Sequence, residues 1–479
     1  SGDKGIGLKL SGDLGENFVL KNNGAIIGNG GYGYSYGICI SNLEGKLTNN
    51  GAITGSESGS GSGLYYGYGI YIASFLTGNL TNNGAITGSE SGSGLGYGYG
   101  ISMGSLTGNL TNKGVIIGNG DYGYGIYIAS SLIGNLTNKG IITGSSDSSG
   151  SGIYIKSSLT GNLTNNGTIR GSSNDEGSGI YIYSSLTGNL TNTGVIYGTD
   201  NAIKIYTNTA NSAYNCGLLV SGKSEKDTVS GVTSLTDSNN LGLIFKDISG
   251  KYTVTDDDFA KFGTTTVNAD VVVGIDESSK PITKVYTIIN AKAKGTSDNI
   301  IGTESILSSE LSENKKYVLN GITDTLKVDK NILLHQLNDS VINAYKTAVV
   351  MEGESNLTLE NTVVNGGIDG EYDSTTEEYI NYSPAISVKG DNNFLTIKGD
   401  SIVNGDIKAT GDMNTLNLYG KQNMTRSSDN KSMNILHDIK GFGRIQIENN
   451  VIFFEDAKVT GVERLNINKG GTLSLRLKK

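Results

Sequence analysis

The sequence predicts an all-β chain wound as a right-handed parallel β-helix, with loop excursions, and three observations carry that expectation. The first is a repeat. Asn-x-Gly-x-Ile-x-Gly begins at Asn22, Asn49, Asn82, Asn112, Asn138, Asn165 and Asn192, in steps of 27, 33, 30, 26, 27 and 27 residues. Self-similarity at a period of 20–50 residues marks a solenoid. The second is the pattern inside one repeat: Gly69-Ile70-Tyr71-Ile72, Asn79-Leu80-Thr81-Asn82 and Gly84-Ala85-Ile86-Thr87-Gly88 each alternate apolar with polar or small residues, which is strand periodicity. The third is glycine, 71 of 479 residues, about twice ordinary usage and placed where a coil must bend.

One coil cannot bury its own apolar side, so coils share a continuous core and stack about 4.8 Å apart. Ile70, Ile72, Leu80 and Ile86 then point inward, and Tyr71, Thr81 and Thr87 outward. In chain order, residues 1–205 read as the regular solenoid. Its insertions all fall between the Gly-x-Ile-x-Gly strand and the next Gly-Ile-Tyr-Ile, so they emerge from one corner. Residues 206–345 lose the period and read as irregular β-helix or a small subdomain, with strands near 217–220, 241–245, 271–274, 284–289 and 316–319, and single helical turns at 256–261 and 308–313. Residues 346–479 return to coils. Gly390–Ile397 matches Gly411–Leu418 at a step of 21, Gly441–Ile447 matches Gly461–Ile467 at a step of 20, and the two Val-Asn-Gly segments at 364 and 403 are 39 apart. The excess belongs to an acidic insert at 369–383 that should leave the barrel as a loop.

Composition narrows function. Net charge is −9 with 17% charged residues, against the basic footprint of a nucleic-acid binder. No apolar run reaches the roughly 18 residues of a spanning helix. The chain starts mid-pattern at Ser1 without a basic and apolar leader, so it reads as part of a longer protein. Cys39 and Cys216 are about six coils apart, too far to bridge, and are expected to be free.

The aligned asparagines fit amide ladders running from coil to coil better than a ligand or calcium site. Asn-Leu-Thr at Asn79, Asn109, Asn135, Asn162 and Asn189 matches the glycosylation sequon, but it repeats because the coil repeats. Tyr71, Tyr127, Tyr154 and Tyr181 form an outward aromatic row, read as scaffold. The insertions supply the candidate ligand-binding residues: Tyr32, Tyr34 and Tyr36; Tyr65, Tyr66 and Tyr68; Tyr97 and Tyr99; Tyr122 and Tyr124. Loops of Tyr, Ser and Gly have the composition of antibody paratopes, and aromatic faces stack on sugars; the bland alternative is low-complexity drift duplicated with the repeat. His335 and His437 lie far apart without a recognisable nucleophile, and the outward ladders lack clustered carboxylates. The expectation is therefore no enzyme, no cofactor and no metal.

These repeats, Gly-Asn-Leu-Thr-Asn-Asn-Gly-Ala-Ile, resemble the passengers of Gram-negative type V autotransporters. The block from Asn450 to Glu463, with Ile342–Ala348, is similar to the very large fusobacterial outer-membrane adhesins. The resemblance implies a monomeric β-helical passenger on the cell surface, tethered to the outer membrane through a C-terminal barrel beyond this stretch. It implies partners such as host-cell glycans of the galactose/N-acetylgalactosamine kind, immune receptors or other bacteria. It supplies no residue-level binding motif. The competing readings are a passive stalk holding a distal tip and a glycan-cleaving enzyme on the same fold.

Overall fold

The computed structural model describes residues 4–59, 61–92, 95–207, 212–222, 228–232, 316–321, 324–330, 336–373, 378–420, 433–453 and 457–475, with short strands at 242–248, 251–253, 273–275, 281–286 and 306–307. No helix occurs among them. The strands form two stacks of parallel coils. In the first, every Asn-Leu-Thr-Asn strand lies in one eight-stranded sheet, and the remaining strands join a seventeen-stranded sheet that wraps the other sides. The register is the repeat itself: Asn79, Leu80, Thr81 and Asn82 pair with Asn109, Leu110, Thr111 and Asn112, coil upon coil.

The inward columns are those the alternation requires. Ile70, Ile72, Leu80 and Ile86 are fully buried, as are their equivalents in neighbouring coils, including the Leu76, Leu106, Leu132, Leu159 and Leu186 corner. Large apolar side chains in continuous columns give each coil its stability only through its neighbours. The polar corner is closed by the asparagines. Asn165, with no exposure, donates through Nδ2 to Asn192 Oδ1 at 2.8 Å and to the carbonyls of Gly167 and Val195 at 3.1 Å each, while Asn138 donates to its Oδ1 at 2.8 Å. The same links run unbroken from Asn22 to Asn215. A second, exposed ladder joins Asn79, Asn109, Asn135, Asn162 and Asn189, in which the amide nitrogens of Asn109, Asn135, Asn162 and Asn189 each donate to Oδ1 of the preceding sequon. Cys39 and Cys216 are free thiols, and Cys39 stands level with Tyr71.

The insertions are not loops. Leu64–Leu76 is one continuous strand of 13 residues and Leu95–Leu106 one of 12. Each coil extends into a thin two-layered arm, in which the end of the Gly-Ala-Ile-Thr-Gly strand lies directly against the start of the next strand. A Cβ on Gly88 would stand 1.8 Å from the Tyr99 carbonyl oxygen, and one on Gly98 1.8 Å from that of Asn119. Two backbones this close leave no room for a side chain at these positions, so glycine alternates with outward tyrosine; in the first arm the small Ser35 stands level with Gly67.

The first stack continues beyond residue 205: Leu218–Ser221 pairs with Val195–Gly198, and Leu243–Ile248 with Leu218–Ser221. The second stack is already present before residue 346, since Val318–Gly321 pairs with Val341–Ala344. The two helical turns read at 256–261 and 308–313 lie outside the described residues, as does His335. In the second stack the sequence alignments appear as stacked neighbours: Phe394–Lys398 on Thr415–Tyr419, Arg444–Glu448 on Arg464–Ile467, and Val363–Asn365 against Ile402–Asn404. The acidic insert carries an antiparallel hairpin, Glu371–Asp373 with Glu378–Ile380.

The second stack runs back along the first. Asn320, Asn343, Asn365 and Asn404 form their own amide ladder, and each also donates to a carbonyl of the first stack: Cys216 at 2.7 Å, Thr193 at 2.8 Å, Asn166 at 3.0 Å and Lys139 at 3.0 Å. Rising numbers on one side meet falling numbers on the other, so the stacks are antiparallel neighbours. Arg170, 7% exposed, pins them. Its guanidinium donates to the carbonyls of Ile368, at 2.9 Å, and Gly370, and to Ser172 Oγ at 3.0 Å, and lies 4.9 Å from the Tyr197 ring centre. Arg170→Ala leaves two buried carbonyls without these donors, at about 1–3 kcal/mol each. The expected result is faster amide exchange in 363–370 and a loss of about 3 kcal/mol, with Arg170→Lys recovering only part because its ammonium lacks the planar fork. Unchanged exchange in 363–370 would refute the pin.

Candidate functional site

The arms bring the tyrosines together. Along the stack, Tyr34 pairs in register with Tyr66, Tyr66 with Tyr97 and Tyr97 with Tyr122. Their ring centres are 4.8, 4.9 and 4.8 Å apart, with planes within 13°. An inner column, Tyr36, Tyr68, Tyr99 and Tyr124, stacks beside it at 5.1, 5.0 and 5.5 Å. Strand spacing sets this period, and offset stacking suits the ring quadrupoles.

The outward row joins the same face. Where the arm enters the barrel, Gly69 turns toward the core: a Cβ there would meet the Gly100 carbonyl oxygen and Ile86 Cγ2, each at 2.6 Å. The bend brings Tyr71 against Tyr68, at 4.9 Å and 51°. Tyr127 packs on Tyr99 and Tyr124, and Tyr154 on Tyr124 and Tyr127. Contacts continue through Tyr181 and Tyr183 to Tyr206. The strip from Tyr34 to Tyr206 crosses seven coils, roughly 29 Å at strand spacing. The row read from the sequence as scaffold is thus part of one aromatic surface with the arm tyrosines.

The candidate residues divide by burial. Tyr68, Tyr99 and Tyr124 are 8–9% exposed and form the inner wall. Tyr34 is exposed, and Tyr66, Tyr97 and Tyr122 are half-buried. Tyr65 points the other way: it is 2% exposed, its ring lies over Gly59, and it is closed off from the surface. Tyr32 is exposed on the bend before Tyr34. Eight of the ten candidates therefore share one face, on strands where the sequence reading expected loops. The missed signal was the Gly-Tyr-Gly-Tyr alternation, which has the period of a strand.

The chemistry of the face follows from the stacking. Each ring covers much of the next one's face, and Lys4 Nζ stands 5.3 Å from the centre of Tyr34. What the surface offers a partner is mainly ring edges and hydroxyls, suited to hydrogen bonding and edge contacts more than to face-on sugar stacking. Burial pushes the Tyr124 phenol up to about 12 and raises those of Tyr36, Tyr68, Tyr99 and Tyr154, with neighbouring phenols adding to the rise. These five hydroxyls are neutral donors at physiological pH.

Away from this face, the arm tips hold two nearly buried carboxylates level with each other, Glu57 and Glu90. Ser35 Oγ donates to Glu57 Oε2 at 2.8 Å, and the Gly92 amide donates to Glu90 Oε1. In the second stack, His437 lines a cavity of about 20 Å³ with Ser401, Ile407 and Met433. That space suits one water molecule. Burial lowers the His437 imidazole to about 4. No protein-family model matches this sequence, and no curated protein or solved structure matches it either.

Proposed function

We propose that this chain is the rod of a bacterial surface adhesin and that the tyrosine face is where its partner docks. One observation supports the reading above the others: eight tyrosines from four arms stand in register on one side of a rigid stack. Rigid aromatics give large contact area at low entropic cost, and tyrosine is enriched among the residues that dominate binding energy. The partner would be a host-cell glycan of the galactose kind or an immune-receptor ectodomain, following the resemblance of the repeats.

The test changes only the outer column: Tyr34→Ser, Tyr66→Ser, Tyr97→Ser and Tyr122→Ser, leaving the buried inner column in place. The soluble protein and this variant are compared on galactose-type glycans, receptor ectodomains and whole bacteria. Binding weaker by at least about tenfold, or ~1.4 kcal/mol, with unchanged circular dichroism, supports docking on this face. Equal binding moves the site elsewhere. Absence of binding by either protein favours the passive stalk, a reading to which the continuous ladders and closed core also lend support.

A further inference from the structure

We propose that neighbouring coils of the first stack are sites of covalent stapling by oxidative tyrosine coupling, at the outer column Tyr34–Tyr66–Tyr97–Tyr122 and at the pair Tyr183–Tyr206. The inference stands apart from the adhesin reading. It rests on ring geometry. Tyrosines separated by 32, 31 and 25 residues in sequence are held nearly parallel, with ring centres 4.8–4.9 Å apart. Tyr183 and Tyr206 stack at 5.2 Å and 9°, and are 48% and 67% exposed. In an unfolded chain two such radicals must find each other by diffusion; here the partner ring is already in place.

The step needs a one-electron oxidant, supplied by a haem peroxidase with hydrogen peroxide. Each of two facing phenols gives up one electron and its hydroxyl proton. The two phenoxyl radicals share spin at the ring carbons ortho to oxygen, and one such carbon from each ring forms the new carbon–carbon bond. Each bonded carbon then passes its hydrogen to its own oxygen, which restores both aromatic rings and both hydroxyls. Two tyrosines and one peroxide yield one dityrosine and two waters.

Exposure selects the outer column. The inner tyrosines Tyr68, Tyr99 and Tyr124 are 8–9% exposed, which denies their hydroxyls the water that takes up the proton. Tyr127 and Tyr154 also face each other, but at a longer 5.4 Å and with Tyr124 packed against both. A staple between coils closes a loop of the length that separates its tyrosines, which restricts the unfolded chain as a disulfide does.

The experiment treats dilute protein with peroxidase and peroxide, then reads dityrosine fluorescence, the denaturing gel and the cross-linked peptides by mass spectrometry. The expected result is a monomer whose linked peptides join Tyr34 to Tyr66, Tyr66 to Tyr97 or Tyr97 to Tyr122, and Tyr183 to Tyr206, each pair short by two hydrogens. A Tyr66→Phe, Tyr97→Phe protein keeps the stacked rings but has no facing phenols in the column. It should lose every column linkage and keep Tyr183–Tyr206, which serves as the internal control. Linkages that persist in the column region of that variant, linkages found only between molecules, or none under conditions that couple free tyrosine would each overturn the proposal.

Discussion

Raising the pH from about 9 to about 11 is expected to cost the first stack ~4 kcal/mol of stability. The inner column is the cause. A phenol in the unfolded chain ionises near 10, whereas burial takes Tyr124 to about 12 and raises Tyr68 and Tyr99. Their contribution is fully present below the unfolded value. As pH rises through 10 the unfolded chain releases protons that the folded stack retains, so the equilibrium moves toward unfolding. One pH unit above the unfolded value, each such phenol contributes ~1.4 kcal/mol, and three do so together. Tyr36 and Tyr154 are raised in the same direction but face solvent more and should add less. Urea midpoints measured across this range, with phenolate absorbance followed in parallel, test the expectation. A variant with Tyr68→Phe, Tyr99→Phe and Tyr124→Phe should lose most of the alkaline slope; if its slope equals that of the parent, the inner column is not responsible.

Asn165→Ala is expected to cost ~3–5 kcal/mol, while Asn162→Ala, three residues away, should cost under ~1 kcal/mol. Both belong to amide ladders at the same strand spacing. The difference is water. Asn162 is exposed, and its lost partners can be solvated, whereas Asn165 has no exposure. Its removal leaves Asn192 Oδ1, two carbonyls and one donor of Asn138 short of partners inside the corner, and each unsatisfied buried group costs about 1–3 kcal/mol. Equal denaturation midpoints for the two variants would contradict this account of the corner.

Much of the fold is legible because it is local. The Asn-x-Gly-x-Ile-x-Gly spacing gives the register, and alternation gives the inward columns Ile70, Ile72, Leu80 and Ile86, since both depend on residues within one coil and its copy. The arms were harder to read. Glycine and serine tracts usually signal flexible segments, and only the backbone contact at Gly88 and Gly98 explains why Gly-Tyr-Gly-Tyr is a strand with one side pressed shut. That misreading also hid the burial of Tyr65 and the joining of Tyr71 to the arm tyrosines. The return of the second stack left no local mark. Arg170 occupies a position equivalent to Thr143 and Tyr197, and nothing within its own coil says that carbonyls about 200 residues later will receive it.

That return changes what gene duplication can do. A lone solenoid gains or loses whole repeats easily, because any coil can stack on any other. Here Lys139, Asn166, Thr193 and Cys216 meet Asn404, Asn365, Asn343 and Asn320 one coil at a time. Deleting a 27-residue repeat between Arg170 and the point where the chain reverses would slide the returning stack by one step and carry Ile368 and Gly370 past their arginine. Copy number on the two sides is therefore coupled: a coil lost from one must be matched by a coil lost from the other.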